Sequence, residues 1–282
     1  SGAPFVLWLC TQVPHMDHRN AWPAAKEYLD RHAVEKMPVP ESWQDDLSGK
    51  PPYLGDSRSR TQALEYGYAR PDSIRRHFRD YFAAVEQMDS ALGRVLEELD
   101  RLGLRDNTWI FFMGDNGWMM GEHGFTSKVL PYEESIRVPM IVAGPGTESQ
   151  ARHELVLGID LTATMLEVAG LPVPETFHGR SLLPLLQRRE PANDWREAFL
   201  YEAPDPQLGS RPLWAVRTER WKYIETEPGN GAQTSVFKEL YDLENDPVEM
   251  LNLAGSTDKA ELVSDLSQLL ARLRAEIISP AK

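Results

Sequence analysis

Cysteine is almost absent from this sequence, since Cys10 is the only one in 282 residues. An intrachain disulfide and a metal site built from several thiolates are therefore both excluded. A lone cysteine can still act as a nucleophile, but Cys10 ends the apolar run VLWLC. That position predicts a buried and unreactive thiol.

Long apolar runs and an excess of positive charge are also missing. No run approaches the roughly 18 apolar residues of a transmembrane helix, so we expect no membrane span. The formal net charge of −13 at pH 7 argues against a nucleic-acid-binding surface. Apolar residues at 41% and charged residues at 26% are typical of a globular protein large enough for one or two domains.

The first ten residues, SGAPFVLWLC, contain neither an initiator methionine nor the charged start of a signal peptide. Phe5 to Leu9 form an apolar run of strand length that Pro14 should end, which leaves His15 in a loop. A chain that starts so close to a buried strand is expected to continue upstream. Any targeting signal would lie there too, so the compartment is left open between periplasm and cytoplasm.

Apolar periodicity indicates an α/β arrangement in residues 1–190. Residues 16–72 are polar, proline-rich and irregular, apart from a short helix around PAAKEYLDRH, and such a long loop region is usually functional. Apolar residues then recur at steps of three and four from Ile74 to Leu102, which predicts a long amphipathic helix ending near Gly103.

Two apolar runs and one further helix complete this part of the chain. NTWIFFMG and VPMIVAGPG predict strands buried on both faces, and GIDLTATMLEVAG predicts a helix that stops at Gly170. A helix between buried strands is typical of a layered α/β fold.

Residues 191–282 predict a smaller α+β subdomain. Four short alternating runs indicate an antiparallel sheet, namely EAFLYE, LWAVRT, WKYIET and KELYDL. The segment DKAELVSDLSQLLARLRAEI predicts a closing amphipathic helix.

The stretch MGDNGWMMGEHGFTSK holds the main candidates for chemistry. Asn116-Gly117 after an apolar strand is a strong hairpin signal, but WMMGEHGF does not alternate as a returning strand should. The alternative is that Asp115 and Asn116 offer hard oxygen ligands to Ca²⁺ or Mg²⁺ at the carboxyl end of a strand.

Lys128 and His15 each have an ordinary and a functional interpretation. Lys128 is either a solvated lysine or a compact donor to sulfate or phosphate oxygens. His15 is either a loop histidine or a donor to an anion or leaving group. Glu122 and His123, between two glycines, indicate a tight backbone path, and the pair Asp45-Asp46 carries little weight as a metal site.

Several ordered stretches resemble the sulfatase family. GDNGWMMGEHGFTSKVLPYEESIRVPMIVAGPG is similar to the family's second signature region. The resemblance continues through nearly the whole chain in PFVLWLCTQVPH, DLTATMLEVAGLPVPETFHGRSLLPLL, VRTERWKYI and ELYDLENDPVEMLNLA. It implies an alkaline-phosphatase-like α/β core and hydrolysis of aryl or carbohydrate sulfate esters.

By position, the resemblance implies roles for four residues. Asp115 and Asn116 match the second pair of Ca²⁺ ligands, Lys128 matches the sulfate-binding lysine, and His15 matches the histidine on the sulfate or leaving-group side. The family's nucleophile, a formylglycine made in a Cys/Ser-x-Pro-x-Arg motif, has no counterpart here, because Cys10 is followed by Thr-Gln-Val.

The family's N-terminal Asp-Asp metal ligands are missing as well, so the sequence corresponds to the C-terminal portion of a sulfatase. We expect the formylglycine upstream and this chain alone to be inactive. Two alternatives stay open: a phosphate or phosphonate ester hydrolase of the same superfamily, and a non-catalytic protein that binds an anion or a partner. Trp22, Trp43 and Tyr53 could stack on a sugar or aryl ring, or could be packing residues.

Overall fold

The region predicted to be irregular, residues 16–72, contains two complete α-helices and three short 3-10 helices in the computed structural model. The structure describes residues 3–187, 195–204, 210–229 and 235–278. Helix α1 (Lys26–Leu29) lies where a short helix was predicted, whereas α2 (Arg58–Glu65) was missed. The sequence of α2 is mostly polar and so gives little periodicity. Its start is stabilised by the Ser57 side chain, which accepts a hydrogen bond from the Arg60 backbone.

The predicted long helix is α3 (Pro71–Arg101), with Pro71 in its first turn, where a missing N–H costs nothing. The helix buries Ile74, Ala83 and Ala84. Gly103 follows with φ 65°, a left-handed conformation that glycine adopts readily after a helix. Both the helix and its end are confirmed.

Five short elements follow α3 and carry the candidate residues. In chain order they are β1 (Ile110–Met113), β2 (Met119–Met120), β3 (Thr126–Ser127), α4 (Glu133–Ile136) and β4 (Met140–Ala143). Strand β1 pairs antiparallel with β4, and β2 pairs antiparallel with β3.

The prediction that the strands now called β1 and β4 are buried on both faces is wrong for this chain. The residues of β1 are only half-buried, and Ile141 in β4 is 63% exposed. The physical reason is that these two strands form a sheet of only two strands within the described ranges, so no neighbouring strand or second layer covers the outer side.

The predicted N-terminal strand and the buried Cys10 are also corrected. Residues 5–9 adopt no strand, and their side chains are exposed, from 53% for Leu9 to 79% for Val6. Cys10 is exposed and free, and its Sγ accepts a hydrogen bond from Trp8 Nε1 at 2.6 Å. An apolar run forms a buried strand only if another strand pairs with it and a layer covers it, and none of the described strands pairs with residues 5–9.

The helix predicted before Gly170 is α5 (Asp160–Val168), and α6 (Leu183–Leu186) follows. Gly170 has φ 70°, as expected after a helix end. The predicted boundary between residues 190 and 191 falls outside the described residues. A division of the chain at that point therefore stays a prediction.

The four alternating runs form the predicted antiparallel sheet, in the order β5-β6-β7-β8. Its strands are β5 (Ala198–Ala203), β6 (Leu213–Thr218), β7 (Trp221–Thr226) and β8 (Phe237–Asp242). The closing helix is α7 (Ala260–Ile278). Of the helices in the described ranges, none is long and apolar enough for a bilayer crossing.

Both faces of this sheet are buried, because successive side chains on a strand point to opposite sides. On one face Val216, Tyr223 and Leu240 pack with Leu266 and Leu270 of α7. The opposite face carries Ala215, Ile224 and Tyr241, which form a cluster with Leu54, Met119, Phe125, Leu130 and Tyr132. The sheet therefore packs directly against the segment that contains Lys128.

Candidate active site

Asp115 and Asn116 lie in a bend directly after β1. Asp115 is exposed and Asn116 is half-buried. The Asn116 backbone donates to Asp115 Oδ1 at 2.9 Å, and Asn116 Nδ2 donates to the Gly117 carbonyl at 2.8 Å. Both side chains are thus hydrogen-bonded to the backbone of the bend itself.

Gly117 holds this bend against the backbone of α4. Its N–H donates to the Ser135 carbonyl at 2.9 Å, and a Cβ at this position would lie 2.0 Å from the Glu134 carbonyl oxygen. The glycine is therefore required for close packing. The hairpin interpretation of Asn116-Gly117 does not describe this bend, since β1 pairs with β4 and β2 pairs with β3.

Lys128 lies between β3 and α4, and its side chain reaches the same bend. Lys128 Nζ donates to Asn116 Oδ1 at 2.6 Å. The lysine is half-buried, and both of its neighbours, Ser127 and Val129, have positive φ. The structure thus brings together two of the four residues singled out in the sequence.

His15 is exposed, and its ring is held from two sides. Its Nδ1 lies 2.7 Å from the Met16 carbonyl oxygen, and the ring meets Trp118 edge-on at 5.8 Å between centroids. Trp22 Nε1 donates to the Pro14 carbonyl at 2.9 Å. Since Trp118 follows Gly117 directly, His15 lies near the bend that holds Asp115 and Asn116.

The donor chemistry of the bend fits Ca²⁺ or Mg²⁺, both of which prefer carboxylate and amide oxygens. The number of donors does not complete a site, because Ca²⁺ takes about 6–8 oxygens. A cluster of three or more His, Cys, Asp or Glu side chains that could hold a metal does not occur in the part of the chain that the structure describes. Asp115 and Asn116 can therefore supply only part of a coordination sphere.

Glu122 and His123 lie in a tight turn of the backbone, as the flanking glycines indicated. Gly121, His123 and Gly124 have φ of 110°, 51° and 68°. The His123 side chain is fully buried, and its Nδ1 lies 2.7 Å from Asp45 Oδ2. This pair, 78 residues apart in sequence, was not predicted, because neither local pattern marks it.

Asp45, considered weakly as a metal ligand, is instead the partner of a buried histidine. Burial acts to raise the pKa of Asp45, but hydrogen bonds from His123 and the Leu47 backbone hold it below its ordinary value. Burial lowers the pKa of His123 to about 4. The pair therefore consists of a carboxylate and a neutral imidazole at neutral pH.

The three aromatic residues of the long loop region are packed. Trp22 is only 3% exposed and lies in a cluster with Met16, Ala84 and Met120. Trp43 and Tyr53 are half-buried against neighbouring clusters. The packing interpretation thus describes Trp22, and none of the three is an open stacking platform.

Comparison with known proteins identifies the family. The profile described as Sulfatase matches residues 1–171, and the profile described as N-sulphoglucosamine sulphohydrolase, C-terminal, matches residues 121–276. The chain belongs to the sulfatase family. The stretch that holds Asp115, Asn116 and Lys128 lies inside the first match.

Two curated sulfatases show how much of such a protein the chain covers. It is 35% identical over 204 residues to an N-acetylglucosamine-6-O-sulfatase of Bacteroides thetaiotaomicron, covering 69% of this chain and 35% of that protein. It is 34% identical over 287 residues to arylsulfatase K of Rattus norvegicus, covering 96% of this chain and 49% of that protein. The chain thus spans half or less of the length of these sulfatases.

Solved structures confirm the predicted fold class, an alkaline-phosphatase-like α/β core with a C-terminal α+β subdomain. A structure in complex with its substrate D-glucosamine-2-N,6-O-disulfate aligns with a TM-score of 0.76 at 26% identity, covering 95% of this chain and 65% of that one. A phosphonate monoester hydrolase from Silicibacter pomeroyi aligns with a TM-score of 0.78 at 23% identity, covering 91% and 54%. The second likeness is one of fold alone.

Proposed function

We propose that the complete protein hydrolyses sulfate esters and that this chain contributes the anion-binding side of the site. The observation that carries the proposal is the contact between Lys128 Nζ and Asn116 Oδ1 at 2.6 Å, in a chain of the sulfatase family. A lysine ammonium beside an oxygen ligand of a metal lies close enough to the metal that one sulfate group could bind the metal and the ammonium together.

Asp115 and Asn116 would hold the metal, and Lys128 would donate to a sulfate oxygen. When bound, Ca²⁺ would supply positive charge to the sulfate oxygens, and a formylglycine would supply the nucleophile. The Lys128 ammonium would stabilise the negative charge on the sulfate throughout the reaction. Both side chains are open to solvent at least in part, since Asp115 is exposed and Lys128 is half-buried.

His15 would donate a proton to the departing alcohol oxygen. A carbonyl oxygen only accepts hydrogen bonds, so the contact with Met16 at 2.7 Å places a proton on Nδ1. Nε2 then carries a proton only when the ring is charged. We therefore assign the donation to the imidazolium form of His15, through Nε2.

The remaining metal oxygens and the nucleophile would come from an upstream segment of the same protein. The exposed apolar surface supports this part of the proposal. Phe5 and Leu7 line a groove of about 540 Å³ with Val95, Leu99, Leu102 and Leu104, and Ile141 is 63% exposed on β4. Large apolar side chains left exposed in this way are typical of a face that another element covers.

The substrate class that we propose is a sulfated carbohydrate. Support comes from the relative named as an N-acetylglucosamine-6-O-sulfatase and from the aligned structure that holds a disulfated glucosamine. An aryl sulfate is the second candidate, favoured by the likeness to arylsulfatase K. A phosphonate ester is a third, favoured only by a shared fold.

The test is turnover by the complete product of the gene, with Ca²⁺ present, on N-acetylglucosamine-6-sulfate, a chromogenic aryl sulfate and a phenyl phosphonate ester. We expect multiple turnover and the highest kcat/KM on one of the sulfate esters. A higher kcat/KM on the phosphonate ester would mean that the protein is a phosphonate ester hydrolase and not a sulfatase. No turnover on any ester, together with tight binding of sulfate, would favour the non-catalytic alternative.

The 282-residue chain provides the matched control. It should release no product in multiple turnovers with or without Ca²⁺, because none of its residues matches the family's nucleophile. Measurable turnover by this chain would contradict the assignment of the nucleophile to an upstream segment.

A further inference from the structure

The backbone on both sides of Lys128 has an unusual conformation. Ser127 has φ 78° and Val129 has φ 84°, in the left-handed region that residues other than glycine rarely adopt. A β-branched residue such as valine is least suited to it. Such a conformation persists only where surrounding contacts hold it, and it is often found where a side chain must be aimed.

The contact that holds Val129 comes from the C-terminal sheet. The Tyr201 hydroxyl, on β5, donates to the Val129 carbonyl at 2.8 Å. The ring of Tyr201 packs against the buried cluster between the sheet and the Lys128 segment. Burial raises the pKa of Tyr201 to about 12, so the hydroxyl keeps its proton and remains a donor at neutral pH.

A second set of contacts fastens the same segment four residues further on. Glu133 Oε1 lies 2.9 Å from Lys222 Nζ, and Glu133 Oε2 lies 3.4 Å from Arg217 Nη2. The Glu133 N–H donates to Glu249 Oε2 at 2.7 Å. With Leu130 and Tyr132 buried in between, residues 129–133 are attached to the sheet at both ends.

Lys128 directly precedes the attached segment, residues 129–133. The path of its backbone is fixed on one side by Val129 and on the other by the short β2–β3 pairing, in which Met119 pairs with Ser127. The side chain then spans the gap to Asn116 Oδ1. A change in the position of the Val129 carbonyl would therefore move Lys128 Nζ relative to Asn116.

From this geometry we propose that Tyr201 is a positioning residue for the anion site. Its hydrogen bond to the Val129 carbonyl holds Val129 in its left-handed backbone conformation, and this conformation directs the neighbouring Lys128 side chain towards Asn116. The inference rests on the proposed role of Lys128 in sulfate binding. It gives the C-terminal sheet a part in the reaction, although none of the sheet residues is proposed to touch the substrate.

The test compares two tyrosine hydroxyls on the same sheet in the complete protein with Ca²⁺. Tyr201→Phe removes the donor to Val129 and keeps the ring. Tyr223→Phe is the matched control, because the Tyr223 hydroxyl donates to Glu225 Oε1 at 2.7 Å and its ring packs on the α7 face. The readouts are the Kd for inorganic sulfate by calorimetry, kcat and KM for a sulfate ester, and Tm.

We expect Tyr201→Phe to raise the Kd for sulfate, by at most about fivefold to tenfold, because the hydrogen bond can favour the binding conformation of Lys128 by no more than its own net free energy. The kcat should fall as well, since Lys128 would be displaced in the transition state too. Tyr223→Phe should change the Kd less than twofold, although it should lower Tm about as much as Tyr201→Phe does, since each variant loses one hydrogen bond. A wild-type Kd for Tyr201→Phe, or equal effects of both variants on the Kd, would overturn the inference.

Lys128→Met separates this inference from the proposed function. Loss of sulfate binding in Lys128→Met with a wild-type Kd in Tyr201→Phe would overturn only the positioning role of Tyr201. Unchanged sulfate binding in Lys128→Met would overturn the role of Lys128, and the inference about Tyr201 with it.

Discussion

Lys128 Nζ donates a hydrogen bond to Asn116 Oδ1 over 2.6 Å. The two residues are 12 positions apart and belong to different turns, one after β1 and one after β3. The amide oxygen of Asn116 has a second lone pair, so the same oxygen can face a cation while it accepts from Lys128. The contact joins the proposed metal-binding and anion-binding groups through a single atom.

Asp115→Ala in the complete protein should lose Ca²⁺ binding and activity together, because the variant removes the charged member of the proposed ligand pair. Asp115 is exposed, so Tm without metal should be unchanged. Metal content by mass spectrometry and turnover of a sulfate ester provide the measurement. Asp106→Ala, an exposed carboxylate before β1, is the control and should keep both. If Asp115→Ala kept full activity and full metal content, the bend would have a purely structural role.

His15→Ala should affect substrates according to their leaving groups. With a sugar sulfate, whose alkoxide leaves poorly without a proton, we expect kcat/KM to fall about 10²–10⁴-fold. With a nitrophenyl sulfate, whose phenolate leaves unaided, the loss should be far smaller. His18→Ala, an exposed histidine of the same loop, should behave as wild type. Equal losses on both substrates would show that His15 binds the sulfate and does not protonate the leaving group.

The buried ion pair between Arg196 and Asp160 should contribute strongly to stability. Arg196 Nη2 lies 2.7 Å from Asp160 Oδ1, with side chains 8% and 0% exposed. Arg196→Leu leaves the carboxylate buried without its cation, which typically costs about 3–5 kcal/mol in free energy of unfolding. Urea denaturation measures the change.

The matched surface pair is Lys26 and Asp30, with side chains 85% and 61% exposed. Asp30→Ala should change the free energy of unfolding by less than about 0.5 kcal/mol. Similar effects of Arg196→Leu and Asp30→Ala would contradict the importance of the buried pair.

His123 should make the protein less stable in acid. Its pKa is lowered to about 4 by burial, against the ordinary 6.5. Between these values the unfolded chain binds more protons than the folded one, so the free energy of unfolding falls as pH falls from about 6.5 to about 4. The loss is up to about 3 kcal/mol. It should appear as a decrease in Tm across that range.

His123→Asn tests this assignment. Asparagine can donate to Asp45 from nearly the position of Nδ1 and tolerates the φ of 51° at this residue, but it does not titrate. The variant should lose part of the pH dependence of Tm between 6.5 and 4. His153→Asn, at an exposed histidine, should keep all of it. Identical slopes in the three proteins would assign the acid sensitivity to other groups.

Several elements of the fold were predictable because their pattern is local. The spacing of three and four from Ile74 to Leu102 predicted α3, since one face of a helix is defined by residues close in sequence. The alternating runs predicted the four-stranded sheet for the same reason. The polar sequence of α2 contains no such pattern, and the helix was missed.

Burial was predicted less well than strand formation. The apolar residues of β1 and β4 do form strands, yet Ile141 and residues 5–9 are exposed. An apolar sequence shows that a residue can be buried, whereas burial itself depends on another element that packs over it. Cys10 is exposed for the same reason.

The sequence by itself determined the family and the helices and strands with a strong period, and it singled out Asp115, Asn116, Lys128 and His15 as the candidate site residues. Only the tertiary structure decided which distant residues meet. His123 contacts Asp45, which is 78 residues away in the sequence, and Tyr201 donates a hydrogen bond to Val129, which is 72 residues away. Neither pair leaves a local signal, because such contacts arise only when separate elements pack and bring buried donors and acceptors together.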